Sequence, residues 1–215
     1  MAMRPLTSDD YGRIVHALPE LSDGRIRLRR WRSADAPAIV EAIADGSVAK
    51  WIVGMPWPYT AADARAFLKR TRRDWADVTY IHLAIADVQT GRIVGAIGLN
   101  LHLERQAGEA GYWVVPGDRG RGIAPAAVAL LERWAFDDLQ LARLELIIHV
   151  DNEPSQKVAA KSGYSREGIL RSYLLHRRVR ADYCLYSRLP SDPAPPPAAA
   201  SSQPWAASSN PAVPT

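Results

Sequence analysis

Arg119-Gly120-Arg121-Gly122-Ile123-Ala124 is the hexapeptide on which the reading of this chain turns. It follows a strand-like run, Glu109–Val115 (EAGYWVV). It opens a segment in which Ile123, Ala127, Leu130, Leu131 and Trp134 recur at helical spacing. Glycines between a strand and a helix let the backbone approach a bulky anion. The free amides of the helix start, and the helix dipole, favour negative charge there. Arg119 and Arg121 can add charge-assisted bonds, so the stretch suits a pyrophosphate. Pro125 falls in the first turn, where its missing N–H costs little. A P-loop is excluded, because Ile123-Ala124 stand where its lysine and hydroxyl residue belong. A dinucleotide fingerprint is excluded, because Pro125 replaces its third small residue and no βαβ unit precedes it. A plain glycine turn is the alternative that these residues alone leave open.

Working outward, Arg25–Arg32 alternates Ile26, Leu28 and Arg30 against Arg27, Arg29 and Trp31, as a strand does. Ser33 is expected to cap a helix reaching about residue 45, with Ile39, Val40 and Ile43 on its apolar face. Lys50–Tyr59 reads as a loop. Thr60 to Asp63 reads as a helix start, with Ala64, Phe67 and Leu68 facing inward. Tyr80–Asp87 and Arg92–Leu99 form a hairpin around the turn at Gln89–Gly91. Arg143–Val150 is a β-branched strand. Asp151–Ser155 opens a helix that Gly163 ends, and 164–171 and 180–189 close the fold as strands. The order β-α-α-β-β-β-α-β-α-β-β predicts an α/β domain with a mixed sheet. Residues 25–189 form the expected folded unit. Residues 1–24 are an extension in which Tyr11, Ile14, Val15 and Leu18 can make a short helix face. Residues 190–215 are a Pro/Ala/Ser-rich tail expected to be disordered.

Composition narrows the class. The chain has 215 residues, 47% hydrophobic and 23% charged, which excludes global disorder, collagen and coiled coil. A single cysteine, Cys184, excludes a disulfide scaffold and a multi-cysteine zinc site; in its alternating strand it reads as a small buried residue. His16, His82, His102, His149 and His176 show no metal-ligand spacing, so no metal is expected and structural roles are assigned to them. No apolar run is long enough for a membrane helix and no signal-peptide core opens the chain, so the cytoplasm is the expected location. The net charge is +4, carried mostly by arginine. Arginine clusters at 25–32 and 177–180 raise a nucleic-acid- or ribosome-binding module as an alternative. No recognition motif supports that reading.

The R-x-x-G-x-A form of residues 119–124, following the Glu109–Val115 strand, resembles the acyl-CoA-binding motif of the GNAT superfamily of N-acetyltransferases. Asn152-x-x-Ser155, Lys161-Ser162-Gly163-Tyr164, Glu167-Gly168, the strand Asp182–Ser187 and RLRRWRSADAPAI at 27–39 follow in order and resemble its RimJ/RimL branch. The resemblance covers about 25–189. It implies a mixed, mostly antiparallel sheet flanked by helices and splayed between the fourth and fifth strands. It also implies acetyl-CoA as acyl donor, with its pantetheine arm paired along the backbone of Trp113, Val114 and Val115. One N–H there would face the developing oxyanion. The pyrophosphate would rest on Arg119, Gly120, Arg121, Gly122, Ile123 and Ala124. Asn152 would bond the pantetheine, or serve as a helix N-cap. Ser155 would assist the leaving thiolate, or serve only the helix start. Glu109 would be the general base, or an exposed or ion-paired strand glutamate. Trp51, Trp57 and Tyr59 would line the acceptor site or cap the core. The implied acceptor is a primary amine, foremost a protein N-terminal α-amine of the ribosomal-protein type. A small-molecule amine, or acyl-CoA binding without turnover, is the alternative. Monomer and homodimer are both compatible with the resemblance.

Overall fold

The computed structural model describes residues 6–195. In chain order the elements are α1 (Ser8–His16), β1 (Leu21–Ser22), β2 (Ile26–Arg30), α2 (Ala36–Ile43), α3 (Ala61–Ala76), β3 (Tyr80–Asp87), β4 (Ile93–His102) and β5 (Ala107–Val114). They continue as α4 (Ile123–Asp137), β6 (Arg143–His149), α5 (Glu153–Lys161), β7 (Ser165–His176) and β8 (Val179–Arg188). Among the described residues the strands make one eight-stranded sheet, ordered β1-β2-β3-β4-β5-β6-β8-β7. Every neighbouring pair is antiparallel except β5 and β6. Those two pair only through Ala107–Glu109 and Arg143–Glu145, and then diverge. The two-residue β1, absent from the sequence-based count, shifts the numbering by one. The expected opening is therefore the gap between β5 and β6.

The two faces of the sheet differ in chemistry. One is apolar: Ile81, Leu83, Ile97, Leu99, Leu144 and Leu146 pack against Ala127, Leu131 and Trp134 of α4 and against Tyr11 and Val15 of α1. α1 forms because Thr7 and Asp10 satisfy each other's backbone amides in a capping box, leaving Tyr11 and Val15 on the inner face. The opposite face lies beneath α2 and α3 and is paved with small and polar residues: Ala84, Ala96, Gly98 and Gly111 among Tyr80, His82, Glu109 and Trp113. Thr60 and Asp63 box the start of α3, which turns Ala64 and Leu68 inward and leaves Phe67 partly covered. A floor of glycine and alanine cannot fill the space under a helix, so a cavity opens there.

Ser33 does not cap α2. Residues Ser33–Asp35 form a 3₁₀ turn. Asp35 is the key residue instead, accepting both Arg29 guanidinium nitrogens (2.8 and 2.9 Å) and the Arg32 amide (2.7 Å). β4 and β7 also run beyond the expected ends, to His102 and His176. At the C-terminal end, Arg188 Nη1 donates to the Pro193 carbonyl (2.7 Å) and the Leu189 amide donates to Asp192 (2.9 Å). Residues 196–215, most of the expected disordered tail, lie outside the described residues.

Candidate active site

Where β5 leaves β6, half of its backbone loses its strand partner. The Val115 amide donates to Val94 on the β4 side (2.9 Å), and Trp113 sits opposite Ala96 in the same alternation. The backbone groups of Trp113 and Val115 therefore face β4, while those of Ala110, Tyr112 and Val114 face the gap. Of the three residues expected along the pantetheine arm, only Val114 turns its backbone toward the opening. Trp113 contributes its side chain to the walls, and Val115 lines neither of the two cavities described below.

A trench of about 350 Å³ runs from this gap to the start of α4. Val114, Arg119, Gly120, Gly122, Ile123 and Ala124 form one side of it. Gly120 and Gly122 have φ of +76° and +75°, and a Cβ on either would meet nothing within 4 Å. The glycines thus solve a left-handed turn and leave the space above the loop empty. The loop is anchored by Asp118, whose side chain is 1% exposed. It accepts both Arg92 guanidinium nitrogens, at 2.8 and 2.9 Å. Arg121 also turns toward Asp118 (3.4 Å) and does not line the trench, a departure from the expected pyrophosphate contact. Arg119 does line it, bridging the Val114 carbonyl (3.1 Å) and Ser47 Oγ (2.7 Å). The opposite wall carries Lys157 and Lys161 of α5, which the sequence reading missed. Their spacing of four on a helix start that had already been identified was the available signal.

The trench opens into a larger cavity of about 730 Å³. Trp51, Ile52, Tyr112, Trp113, Asn152 and Ser155 line both. Asn152 is the N-cap of α5, its Oδ1 accepting the Ser155 amide (3.3 Å), so the capping role and a place in the shared wall coexist. The Tyr112 hydroxyl donates to the Ser155 carbonyl (3.3 Å), and burial pushes its pKa up to about 12.

Glu109 faces the larger cavity from the sheet floor. Burial raises its carboxyl above the ordinary value, against a weaker opposing pull from His102. Among the described residues it has no hydrogen bond or ion pair, so the structural ion-pair alternative is not what the geometry shows. Around it stand groups the sequence reading did not single out for the site: Tyr80, His82, Arg70 and His149. His82 Nε2 lies 2.9 Å from Asp74 of α3, and burial lowers its pKa despite that carboxylate. Trp31, Trp51, Tyr59 and Phe67 supply aromatic walls. Trp57 lines neither cavity; its ring packs at Gly46, where a Cβ would lie 3.0 Å away. Cys184 is buried in β8, as expected.

The fold and the sequence both have counterparts among known proteins. Residues 25–165 match the acetyltransferase (GNAT) domain model. YdaF of Bacillus subtilis (strain 168), a candidate ribosomal N-acetyltransferase, is 30% identical over 168 residues, covering 76% of this chain and 91% of its own. RimJ of Mycobacterium smegmatis, solved in complex with CoA-disulfide, superposes with a TM-score of 0.70 at 25% identity, covering 80% of this chain and 86% of that one. A candidate ribosomal-protein-serine acetyltransferase from Vibrio cholerae shares the fold, with a TM-score of 0.73 at 23% identity over 80% of this chain and 98% of that one. With two thirds of its length matched by the domain model and the sheet splayed at the matching strands, the chain belongs to the GNAT acetyltransferase family and is an N-acetyltransferase.

Proposed function

We propose that the protein transfers the acetyl group of acetyl-CoA to a primary amine, foremost a protein N-terminal α-amine as in ribosomal-protein acetylation. One observation carries this reading: the trench and the cavity meet at a shared wall of Tyr112, Trp113, Asn152 and Ser155, with the Arg119–Ala124 loop on one side and Glu109 on the other. The pyrophosphate rests on the loop at Arg119–Ala124, with Lys157 and Lys161 opposite. The pantetheine follows the gap-facing backbone of Tyr112 and Val114, which sets the thioester at the shared wall. The amine nitrogen attacks the thioester carbon, and its proton passes to Glu109, directly or through one water. A gap-facing amide of β5 holds the oxyanion. As the C–S bond breaks, the Ser155 hydroxyl hydrogen-bonds the departing thiolate. These steps are all performed in solution with acetyl-CoA, which fits a cytoplasmic protein.

The α-amine is favoured by its chemistry. With a reference pKa of about 7.7–8.0 it is partly neutral near pH 7.4, whereas a lysine amine near 10.4 is almost wholly protonated. A single unpaired carboxylate suffices for the first. The cavity also carries Arg70, which does not suit a polycationic acceptor. The test is thiol release from acetyl-CoA with a panel of N-terminal peptides, ε-amines and small aromatic amines, with mass detection of products. Steady turnover of α-amines supports the reading. Turnover confined to small amines moves the acceptor class, and binding without turnover overturns catalysis.

A further inference from the structure

Tyr80 has no place in the mechanism above, yet its surroundings are built to hold it. Pairing of Tyr80 with Asn100, and of Asn100 with Glu109, sets Tyr80 and Glu109 in one row across β3, β4 and β5, on the same face. His82, Gly98 and Gly111 form the adjacent row on that face. The Tyr80 ring leans over this second row: a Cβ on Gly98 would lie 2.4 Å from Cε1 and 2.9 Å from the hydroxyl oxygen. A Cβ on Gly111 would lie 3.8 Å from the same oxygen. Two glycines, side by side on neighbouring strands, thus clear the space through which the phenol reaches toward β5. Glu109 projects from β5 two residues before Gly111, into the same cavity.

The ring is held from behind. His82 stacks on it with centroids 4.1 Å apart and planes inclined by 16°. His82 is in turn tied to Asp74 of α3 at 2.9 Å. The hydroxyl end is different: among the described residues neither the Tyr80 hydroxyl nor the Glu109 carboxylate has a hydrogen-bond partner. Burial, reinforced by the charge of Glu109, pushes the Tyr80 pKa up to about 12, so at working pH the phenol is neutral and can accept a hydrogen bond without acting as a base. A fixed polar group and an unpaired carboxylate in one row of the sheet, both facing one cavity, suit a ligand with two N–H groups.

We propose that Tyr80 seats the acceptor: its hydroxyl oxygen accepts one N–H of the primary amine while Glu109 receives the proton lost on acylation, with His82 and Asp74 holding the ring in place. The inference rests on the amine-acetylation reading and adds to it a selectivity for primary over secondary amines. A neutral primary amine has one N–H for each partner; an N-methyl amine has one N–H in all and must leave Tyr80 unused.

The experiment compares wild type and Tyr80→Phe, which keeps the ring and its stack but removes the oxygen. The probes are Ser-Ala-Ala-Ala amide, phenethylamine and their N-methyl counterparts, each with acetyl-CoA. For the primary amines kcat/KM should fall about three- to tenfold in the variant, the worth of one neutral hydrogen bond. For the N-methyl amines the two proteins should be equal, and acetyl-CoA affinity should not change. A fall of equal size for both kinds of amine, or none for either, overturns the proposal. If N-methyl turnover is too slow to measure, Tyr80→Phe combined with Glu109→Gln decides. Groups holding one nitrogen give losses that do not add, and additive losses overturn the proposal. Wild-type turnover of phenethylamine alone removes the α-amine reading and leaves Tyr80 to be judged on that probe. Wild-type turnover of neither primary amine removes both.

Discussion

Replacing Glu109 by Gln should slow acetyl transfer without costing stability, and the combination separates a catalytic base from a structural charge. Glu109 has no ion-pair partner among the described residues, and burial holds its carboxyl above the ordinary range. The folded state therefore holds that proton more tightly than the unfolded chain does. Stability falls as pH rises from the unfolded pKa through the folded one, and above that window the ionised group is a standing cost. Gln removes the cost, so the variant should melt at or above the wild-type temperature at pH 7. The advantage should vanish at acid pH, where Glu109 is protonated. Had Glu109 been half of a buried ion pair, its loss would cost about 3–5 kcal/mol. That is a fall of roughly 6–20 °C for a domain of this size. In the thiol-release assay the rate should fall about 10²-fold at neutral pH, the lower end of what a general base supplies. The loss should shrink as pH passes the α-amine pKa of about 7.7–8.0 and free amine becomes plentiful. A rate loss below about threefold at neutral pH, or melting depressed by the ion-pair amount, refutes the assignment.

Gly122→Val places a β-branched side chain at φ +75°, over the empty loop. Strain should cost about 1–2 kcal/mol, while acetyl-CoA affinity measured by calorimetry should fall at least tenfold; retained affinity in the folded variant removes the pyrophosphate site. Asp118→Asn removes the carboxylate that Arg92 and Arg121 share, costing about 2–3 kcal/mol for bonds to a buried carboxylate. Thermal melting and acetyl-CoA titration should both register the loosened loop, and a variant unchanged in both would show that the loop holds itself. A chain ending at Pro195 should melt as the full chain does, whereas one ending at Leu189 should melt lower, because it strips Arg188 of the Pro193 carbonyl and the Leu189 amide of Asp192. Equal melting of both truncations would show that these contacts add nothing.

The elements that were legible beforehand are those whose signals are local. The capping box at Thr60 and Asp63, the period-two strands at Ile26–Arg30 and Tyr80–Asp87, and the glycine turn before α4 each depend on residues within a few positions of one another. Ser33 was misread because Asp35, its near neighbour, is claimed by Arg29 across the strand end, and no helical periodicity encodes that pair. The order of residues placed Gly120, Gly122, Asn152 and Ser155 at or beside the starts of α4 and α5, where they line the trench. It could not say that Arg121 would turn back to Asp118, or that Val115 would spend its amide on Val94. Both outcomes depend on which side of a strand or loop a group faces after the sheet is assembled. Tyr80 and His82 show the same limit. Their alternation with Ile81 and Leu83 marks a two-faced strand, but both faces of β3 are covered. Only the register across Gly98 and Gly111 decides that one face is a cavity holding Glu109. Sequence by itself determined most of the elements, the family and the glycine turn before α4, because short-range hydrogen bonding and hydrophobic period are written along the chain. Tertiary structure alone decided which polar groups meet, because strand pairing brings together residues that are far apart along it.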